Sequence, residues 1–104
     1  MASTDAQTSL SVAKTGTGVT VDFLAAKKNV SMVCYVTGIS TGGVVAVEAS
    51  QDAVNWVGIV SFEMDSSRAR SFDSSRGAYR YWRATILDAV KGGGTVSATF
   101  MEAD

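Results

Sequence analysis

Short runs in which apolar and polar residues alternate recur along the chain, and polar or glycine-containing segments separate them. Alternation with a period of two is typical of a β-strand with one buried face, and no helical period is visible. Several short strands at this spacing predict an all-β protein, a single antiparallel β-sandwich of about eight strands, with Ig-like or jelly-roll topology left open. The predicted strands span residues 8–13, 19–24, 30–37, 44–50, 55–64, 69–72, 79–87 and 95–101.

The period of two also predicts which side chains face the core. Trp56 and Trp82 are the predicted core anchors, because aromatic residues in strands usually pack inside. The other predicted interior residues are Val19, Val21, Phe23, Val45, Val47, Val60, Phe62, Ala84, Ile86, Val96, Ala98 and Phe100, with either Met32, Cys34 and Val36 or Val33 and Tyr35 from strand 30–37. Two segments, 30–36 and 56–62, are apolar on both faces. They are either central strands of a covered sandwich or surfaces for self-association or docking.

Length and composition indicate one globular domain over residues 1–104, with a short polar N-terminal arm (1–7) and an acidic C-terminal tail (102–104). The first residues show neither a basic nor an apolar segment of a signal peptide, and no apolar run approaches the ~20 residues that span a bilayer. The chain is therefore expected to be made in a cytoplasm without membrane insertion. A net charge of −1 argues against nucleic acid as a partner.

The residue types exclude most catalytic chemistry. The chain has no histidine and a single cysteine, Cys34, so the commonest general base is missing and no internal disulfide can form. Without a neighbouring base, Cys34 is interpreted as a small buried hydrophobe rather than a nucleophile. A carboxylate pair is compatible with the count of acidic residues, but a sandwich of this size leaves little room for a cleft. We predict no enzymatic activity and no cofactor.

Two sets of acidic and amide side chains are candidate calcium ligands, Glu48 with Asp52 and Asn55, and Asp65 with Asp73. A calcium site needs several oxygens converging from one loop, usually with regular spacing, and the spacing here is irregular. The alternative is that Asp52 and Asn55 bond the backbone of their own turn. No metal site is predicted.

The arginines form the clearest charge feature of the chain. All five lie between positions 68 and 83. Counted from Glu63 to Arg83, they stand against three acidic residues, Glu63, Asp65 and Asp73, and the local charge is only about +2, too little for a nucleic-acid footprint. Either a protein partner or internal ion pairs can account for them. Tyr79 and Tyr81 alternate away from Trp82, which makes them ligand or partner candidates. The predicted interface residues are Arg68, Arg70, Arg76, Tyr79, Arg80, Tyr81 and Arg83.

Three segments carry a resemblance to a known family. The order Val47-Glu-Ala-Ser-Gln-Asp-Ala-Val-Asn-Trp56, Tyr79-Arg-Tyr-Trp-Arg-Ala84 and Gly92-Gly-Gly-Thr-Val-Ser-Ala98 resembles small β-sandwich structural proteins of tailed bacteriophages. Those proteins commonly carry a Ser-x-Asp-Gly-x-x-Trp turn, a Tyr-x-Tyr-x-Arg-Ala strand and a closing glycine hairpin. The first two segments also resemble discoidin-type, galactose-binding-like sandwiches. Ala53 departs from the pattern, since glycine is usual there, and this suggests a longer type I-based loop.

The phage resemblance implies a non-enzymatic virion protein, most of all a capsid decoration or cement protein on the capsid exterior. Such a protein would be assembled in the host cytoplasm, bind the major capsid protein between capsomers, and form a homo-oligomer, with a trimer favoured. The alternatives are a carbohydrate-binding or adhesin module of a phage tail or fibre, and a tail or neck structural subunit.

Overall fold

The computed structural model describes residues 7–27, 29–64, 70–74 and 79–103, and within them the chain forms nine β-strands. The strands are β1 (Gln7–Ala13), β2 (Gly16–Thr17), β3 (Val21–Lys27), β4 (Asn29–Thr37), β5 (Gly42–Ser50), β6 (Trp56–Glu63), β7 (Arg70–Ser74), β8 (Tyr79–Lys91) and β9 (Thr95–Ala103). The predicted all-β class is confirmed. A search of these residues for a helix that could span a bilayer found none.

The strands form two antiparallel sheets. Sheet 1 has the order β1-β9-β4-β7, and sheet 2 has the order β2-β8-β5-β6, with β3 also paired to β8. The longest strand, β8, pairs with β5 along one side, from Gly42 opposite Lys91 to Ser50 opposite Tyr81. On its other side β8 pairs with β2 and then β3. β8 is therefore the centre of sheet 2, and it positions the residues of both neighbouring strands.

The core lies between the two sheets and is built from the inward positions of alternating strands. Trp82 is 1% exposed, as the sequence predicts, and its ring lies 6.2 Å from that of Phe100 in the opposite sheet. In β4 the inner face is the one with Met32 and Cys34, while Tyr35 points outward. The fully buried residues that complete the core include Val45, Val47, Ala49, Met64, Ala84, Val96 and Ala98.

Trp56 is not a core anchor, so that prediction is wrong. In the pairing of β6 with β5, Val47 lies opposite Val60, but Glu48 lies opposite Gly58, which marks a β-bulge. The extra residue inverts the alternation, because side chains change face with every position. Trp56 therefore lies opposite Ser50, on the face of Glu48, and is only half-buried.

Val19, also predicted to be internal, is 70% exposed because β3 begins only at Val21. The segment before β3 connects the two sheets instead. Ser9 of β1 accepts a hydrogen bond from the Ala84 backbone N–H of β8 and donates one to the Val19 carbonyl. The N–H of Gly18 donates a hydrogen bond to the Ala84 carbonyl, and the N–H of Val19 donates one to the Ser9 carbonyl. One edge of the sandwich is therefore closed by hydrogen bonds.

Candidate functional site

The turn between β5 and β6 is organised by two side chains, Ser50 and Asp52. The Ser50 hydroxyl accepts hydrogen bonds from the backbone N–H groups of Asp52 and Ala53, at 3.1 and 2.9 Å. One Asp52 carboxylate oxygen accepts from the N–H groups of Val54 and Asn55, both at 2.8 Å, and the other accepts from the Asn55 amide. The expectation that Asp52 and Asn55 shape their own turn is confirmed.

Ala53 occupies a backbone conformation that favours glycine. Its φ is +63°, in the left-handed region, where a Cβ costs roughly 1 kcal/mol. Glycine is the residue that this conformation favours, and the chain has alanine there. The hydrogen bonds from Ser50 and Asp52 hold the turn in place despite that cost.

An open hollow of about 350 Å³ lies beside this turn, at one end of the sandwich. It is lined by Gln51, Asp52, Asn55, Val57 and Tyr79. A volume of this size falls at the lower end of the range for small-molecule sites. The lining combines amide and carboxylate groups with an aromatic ring and a half-exposed valine. This combination suits a ligand that has both hydroxyl groups and apolar faces.

The base of the hollow is anchored in the core. The Tyr79 ring meets the buried Trp82 ring edge to face, with 5.9 Å between centroids, and Trp82 Nε1 donates to the Tyr79 carbonyl at 3.1 Å. Gln51 differs from its neighbours, because its side chain makes no hydrogen bond to any residue in the described part of the chain. Its amide is therefore available to a ligand.

The outer face of sheet 2 carries a second group of interacting side chains. Arg83 Nε donates to Glu48 Oε1 at 2.7 Å, and the Thr85 hydroxyl donates to the same oxygen at 2.7 Å. The Arg83 guanidinium also lies over the Trp56 ring, 4.0 Å from its centroid. Burial raises the pKa of Glu48, but the hydrogen bonds from Thr85 and Arg83 outweigh it and hold that pKa below its usual value.

A second ion pair lies nearby, where β3 meets β8. Arg80 donates from Nε and a terminal nitrogen to the two carboxylate oxygens of Asp22, at 2.7 and 3.0 Å. The hydrogen bond from Arg80, with one from the Leu24 N–H, lowers the pKa of Asp22. The Arg80 guanidinium also lies 5.0 Å from the centre of the Tyr81 ring. Internal ion pairs thus account for Arg80 and Arg83.

The remaining predicted interface residues are not brought into this arrangement. Arg68 and Arg76 lie outside the described residues, and Arg70 begins the edge strand β7, where only the backbone is described. Tyr79 and Tyr81, which were predicted to share a role, face different regions. Tyr79 lines the hollow, whereas Tyr81 contacts Arg80 on the surface of sheet 2.

The other two chemical candidates have simple structural explanations. Cys34 is completely buried, and burial raises the pKa of its thiol to about 11, so it is a core residue. Of the first calcium candidates, Glu48 is engaged by Arg83 and Asp52 by its own turn. A search of the described residues found no group of three or more possible metal ligands among acidic, cysteine and histidine side chains.

We expect the turn to make stability depend on pH. Hydrogen bonds from the Asn55 and Val54 N–H groups, then from the side chains of Asn55 and Ser50, hold the pKa of Asp52 well below its usual range. The ionised carboxylate therefore stabilises the fold above the unfolded pKa of about 3.9, and this contribution disappears progressively as pH falls below it. Asp52→Asn should lower the melting temperature at neutral pH, and the difference from wild type should shrink in acid. Parallel melting curves at all pH values would contradict this.

Comparison with known proteins shows similarity in structure but not in sequence. The chain matches no protein-family model and no curated protein. Among solved structures, the SPBc2 prophage-derived protein YomS is similar over 96% of this chain and 93% of its own, with a TM-score of 0.62 and 14% identity. This similarity extends over nearly the whole of both chains.

Two carbohydrate-binding modules of the CBM32 type are also similar. The CBM32 of AlyQ, solved in complex with 4,5-unsaturated mannuronic acid, has a TM-score of 0.63 and 15% identity, covering 89% of this chain and 75% of that one. The CBM32-1 module from a family 31 glycoside hydrolase of Clostridium perfringens has a TM-score of 0.58 and 9% identity, covering 96% and 94%. At these identities the similarity defines a fold, a CBM32-like jelly-roll sandwich, which decides between the two predicted topologies.

Proposed function

We propose that this protein is a non-enzymatic carbohydrate-binding module whose binding site is the hollow beside the 51–55 turn. The observation that carries the proposal is the lining of the hollow, which includes both the free amide of Gln51 and the aromatic residue Tyr79. Sugars present hydroxyl groups at their edges and C–H groups on their faces. An amide donates and accepts hydrogen bonds at once, and an aromatic ring packs against C–H groups.

Preorganisation also supports this proposal. The turn is held by its own hydrogen bonds, and the Tyr79 ring is braced by the buried Trp82, so little order has to be gained when a ligand binds. The Asp52 carboxylate would be accessible at the edge of the hollow while keeping its shape-defining hydrogen bonds. The AlyQ module of similar fold, solved with a mannuronic acid derivative, is consistent with a sugar ligand for such a sandwich.

Substituting each of the two glutamines of the chain by alanine tests whether the hollow binds a glycan. Gln51→Ala should weaken the affinity for a glycan found by array screening by about 5- to 30-fold, since a lost hydrogen bond in a bound complex costs on the order of 1–2 kcal/mol. Gln7→Ala, the same substitution in β1 on sheet 1, is the matched control and should leave the affinity unchanged. Isothermal titration calorimetry gives both values.

Tyr81→Ala distinguishes glycan binding in the hollow from glycan binding on the outer face of sheet 2. Because Tyr81 lies against Arg80 and does not line the hollow, glycan binding should survive this substitution. Binding that is lost with Tyr81→Ala but retained with Gln51→Ala would remove the hollow as the site. Absence of binding to any glycan on a broad array would overturn the proposal as a whole.

A structural role in a phage virion is the second candidate. The observation that favours it is the similarity to the prophage-derived protein YomS over nearly the full length of both chains. A capsid decoration protein adds contact area across the seams of the shell, which stabilises the particle by mass action and apolar burial. Virions that lack this protein should then lose infectivity on heating or osmotic shock sooner than complete virions. Unchanged virions would refute the decoration role.

A further inference from the structure

Three strands of sheet 1 differ in charge from the outer face of sheet 2. The molecule measures 39 × 28 × 19 Å, so the outer faces of the two sheets form much of its surface. The outer face of sheet 2 carries the ionic residues Asp22, Glu48 and Arg83. In contrast, β1 and β4 of sheet 1 contain no charged residue, and the one charged residue of the neighbouring β9, Glu102, is buried.

We call the outward side of β1, β9 and β4 the charge-free face. In β4 and β9 its positions alternate with the buried residues, and they include Ser31, Val33, Tyr35, Ser97, Thr99 and Met101; β1, which has two register shifts, adds Thr8 opposite Thr99. Tyr35 is 50% exposed and Met101 is 39% exposed, and both stand among small hydroxyl residues. The nearest charged strand position is Asp73 of β7, which pairs in register with Ser31 at the margin.

This composition is unusual for a surface in contact with water. Protein surfaces carry roughly 25–35% charged residues, and the described part of this face carries none. Two features of this face, the lack of charge and the exposed tyrosine and methionine, are shared with the centres of protein interfaces. A face of this kind is expected to be covered in the functional state of the protein.

We propose that the charge-free face is an interface between two copies of this chain, packed sheet against sheet about a two-fold axis. In a two-fold interface the same surface of each copy contacts that of the other. A charged residue at the centre of the surface would therefore lie against the same charge on the second copy. Serine and threonine hydroxyls both donate and accept hydrogen bonds, which makes rows of them compatible with an identical row. The inference does not depend on the proposed sugar site, because the two share no residue.

The size of the face indicates how tight the dimer is. β4 and β9 are nine residues long. At ~3.3 Å per residue, and ~4.8 Å between strands, three strands cover roughly 30 by 14 Å. Two such faces bury on the order of 1,000 Å² in total, at the low end for specific interfaces. The dimer is therefore expected to be weak and to dissociate on dilution.

Sedimentation velocity across concentrations from low micromolar to near-millimolar tests the interface. The wild type should shift from the mass of one chain to that of two. Thr99→Lys, which places an ammonium group on the centre of the face, should weaken the dimer by at least about tenfold. Ser61→Lys is the matched control, since Ser61 is exposed on β6 in the other sheet, and it should dimerise like the wild type.

Thermal unfolding should show that both variants are folded, and Tyr35→Glu replaces Thr99→Lys if the latter is not. A wild type that stays monomeric at every concentration would overturn the proposal, as would a trimer, which requires two different patches. Dissociation caused by Ser61→Lys but not by Thr99→Lys would show that the interface is on sheet 2, and this result would also overturn the proposal.

Discussion

Replacing Trp82 by alanine is expected to remove about 3–5 kcal/mol of folding free energy, a large share of the margin of a typical small domain. Trp82 is 1% exposed and contacts the rings of Phe100 and Tyr79, so its loss leaves a cavity between the two sheets. The surrounding strands cannot collapse into that space, because it is bounded by paired backbone on both sides. Urea denaturation followed by circular dichroism measures the loss.

Trp56→Ala is the matched control for this prediction. The β-bulge in β6 places Trp56 on the outer face, where alanine removes mainly the contact with the Arg83 guanidinium. The expected loss is about 1–2 kcal/mol. If Trp82→Ala does not fold, the conservative pair Trp82→Phe and Trp56→Phe should keep the same order. Equal losses at the two positions would mean that Trp56 is a core anchor after all.

Gly18→Ala is expected to cost about 2–4 kcal/mol, the second large effect. The backbone of Gly18 is accessible to alanine, but a Cβ there would lie 2.6 Å from the Ser9 carbonyl oxygen and 2.7 Å from that of Ala84. To relieve those contacts the chain must separate β1 from β8. The hydrogen bonds of Ser9 and Gly18 would then be lost, each worth about 0.5–1.5 kcal/mol.

Gly58→Ala provides the comparison for Gly18→Ala. No atom lies within 4 Å of a Cβ built at Gly58, so alanine fits without displacement. The free energy of unfolding should change by less than about 1 kcal/mol, because alanine fits and also restricts the unfolded chain. Chemical denaturation of the two variants distinguishes steric exclusion at Gly18 from a general need for glycine in these strands. Similar stability of both would contradict the steric argument.

Most strands were predictable because alternation is a local property of the sequence. Boundaries at β1, β4 and β9 agree within two residues, and in β4 and β9 buried positions alternate with more exposed ones. β2 was not predicted, because two residues of a glycine-containing turn are recruited by β8 rather than by their own pattern. Trp56 was misplaced for a related reason. A bulge depends on how the partner strand is paired, and the period of a single strand does not contain that information.

The candidate site shows the same division between local and distant contacts. The hydrogen bonds of Asp52 lie within its own turn, so the residue types alone predicted them. The hollow was not predicted, because Gln51 and Tyr79 are brought together only by the pairing of β5 with β8. The Asp22–Arg80 ion pair likewise joins residues 58 positions apart. Gln51 itself offered one signal, its place at the start of a strongly predicted turn.

The separation of the hollow from the charge-free face has a consequence for how strongly the protein could hold a surface. The hollow and the charge-free face share no residue, so the proposed pairing of two chains would leave both hollows open. A glycan surface with repeated units would then bind both sites of the dimer at once, and the second site would bind at a high effective concentration. Avidity gains of about 10²–10⁴ are typical of such bivalent attachment. Individually weak sites would then suffice for lasting adhesion.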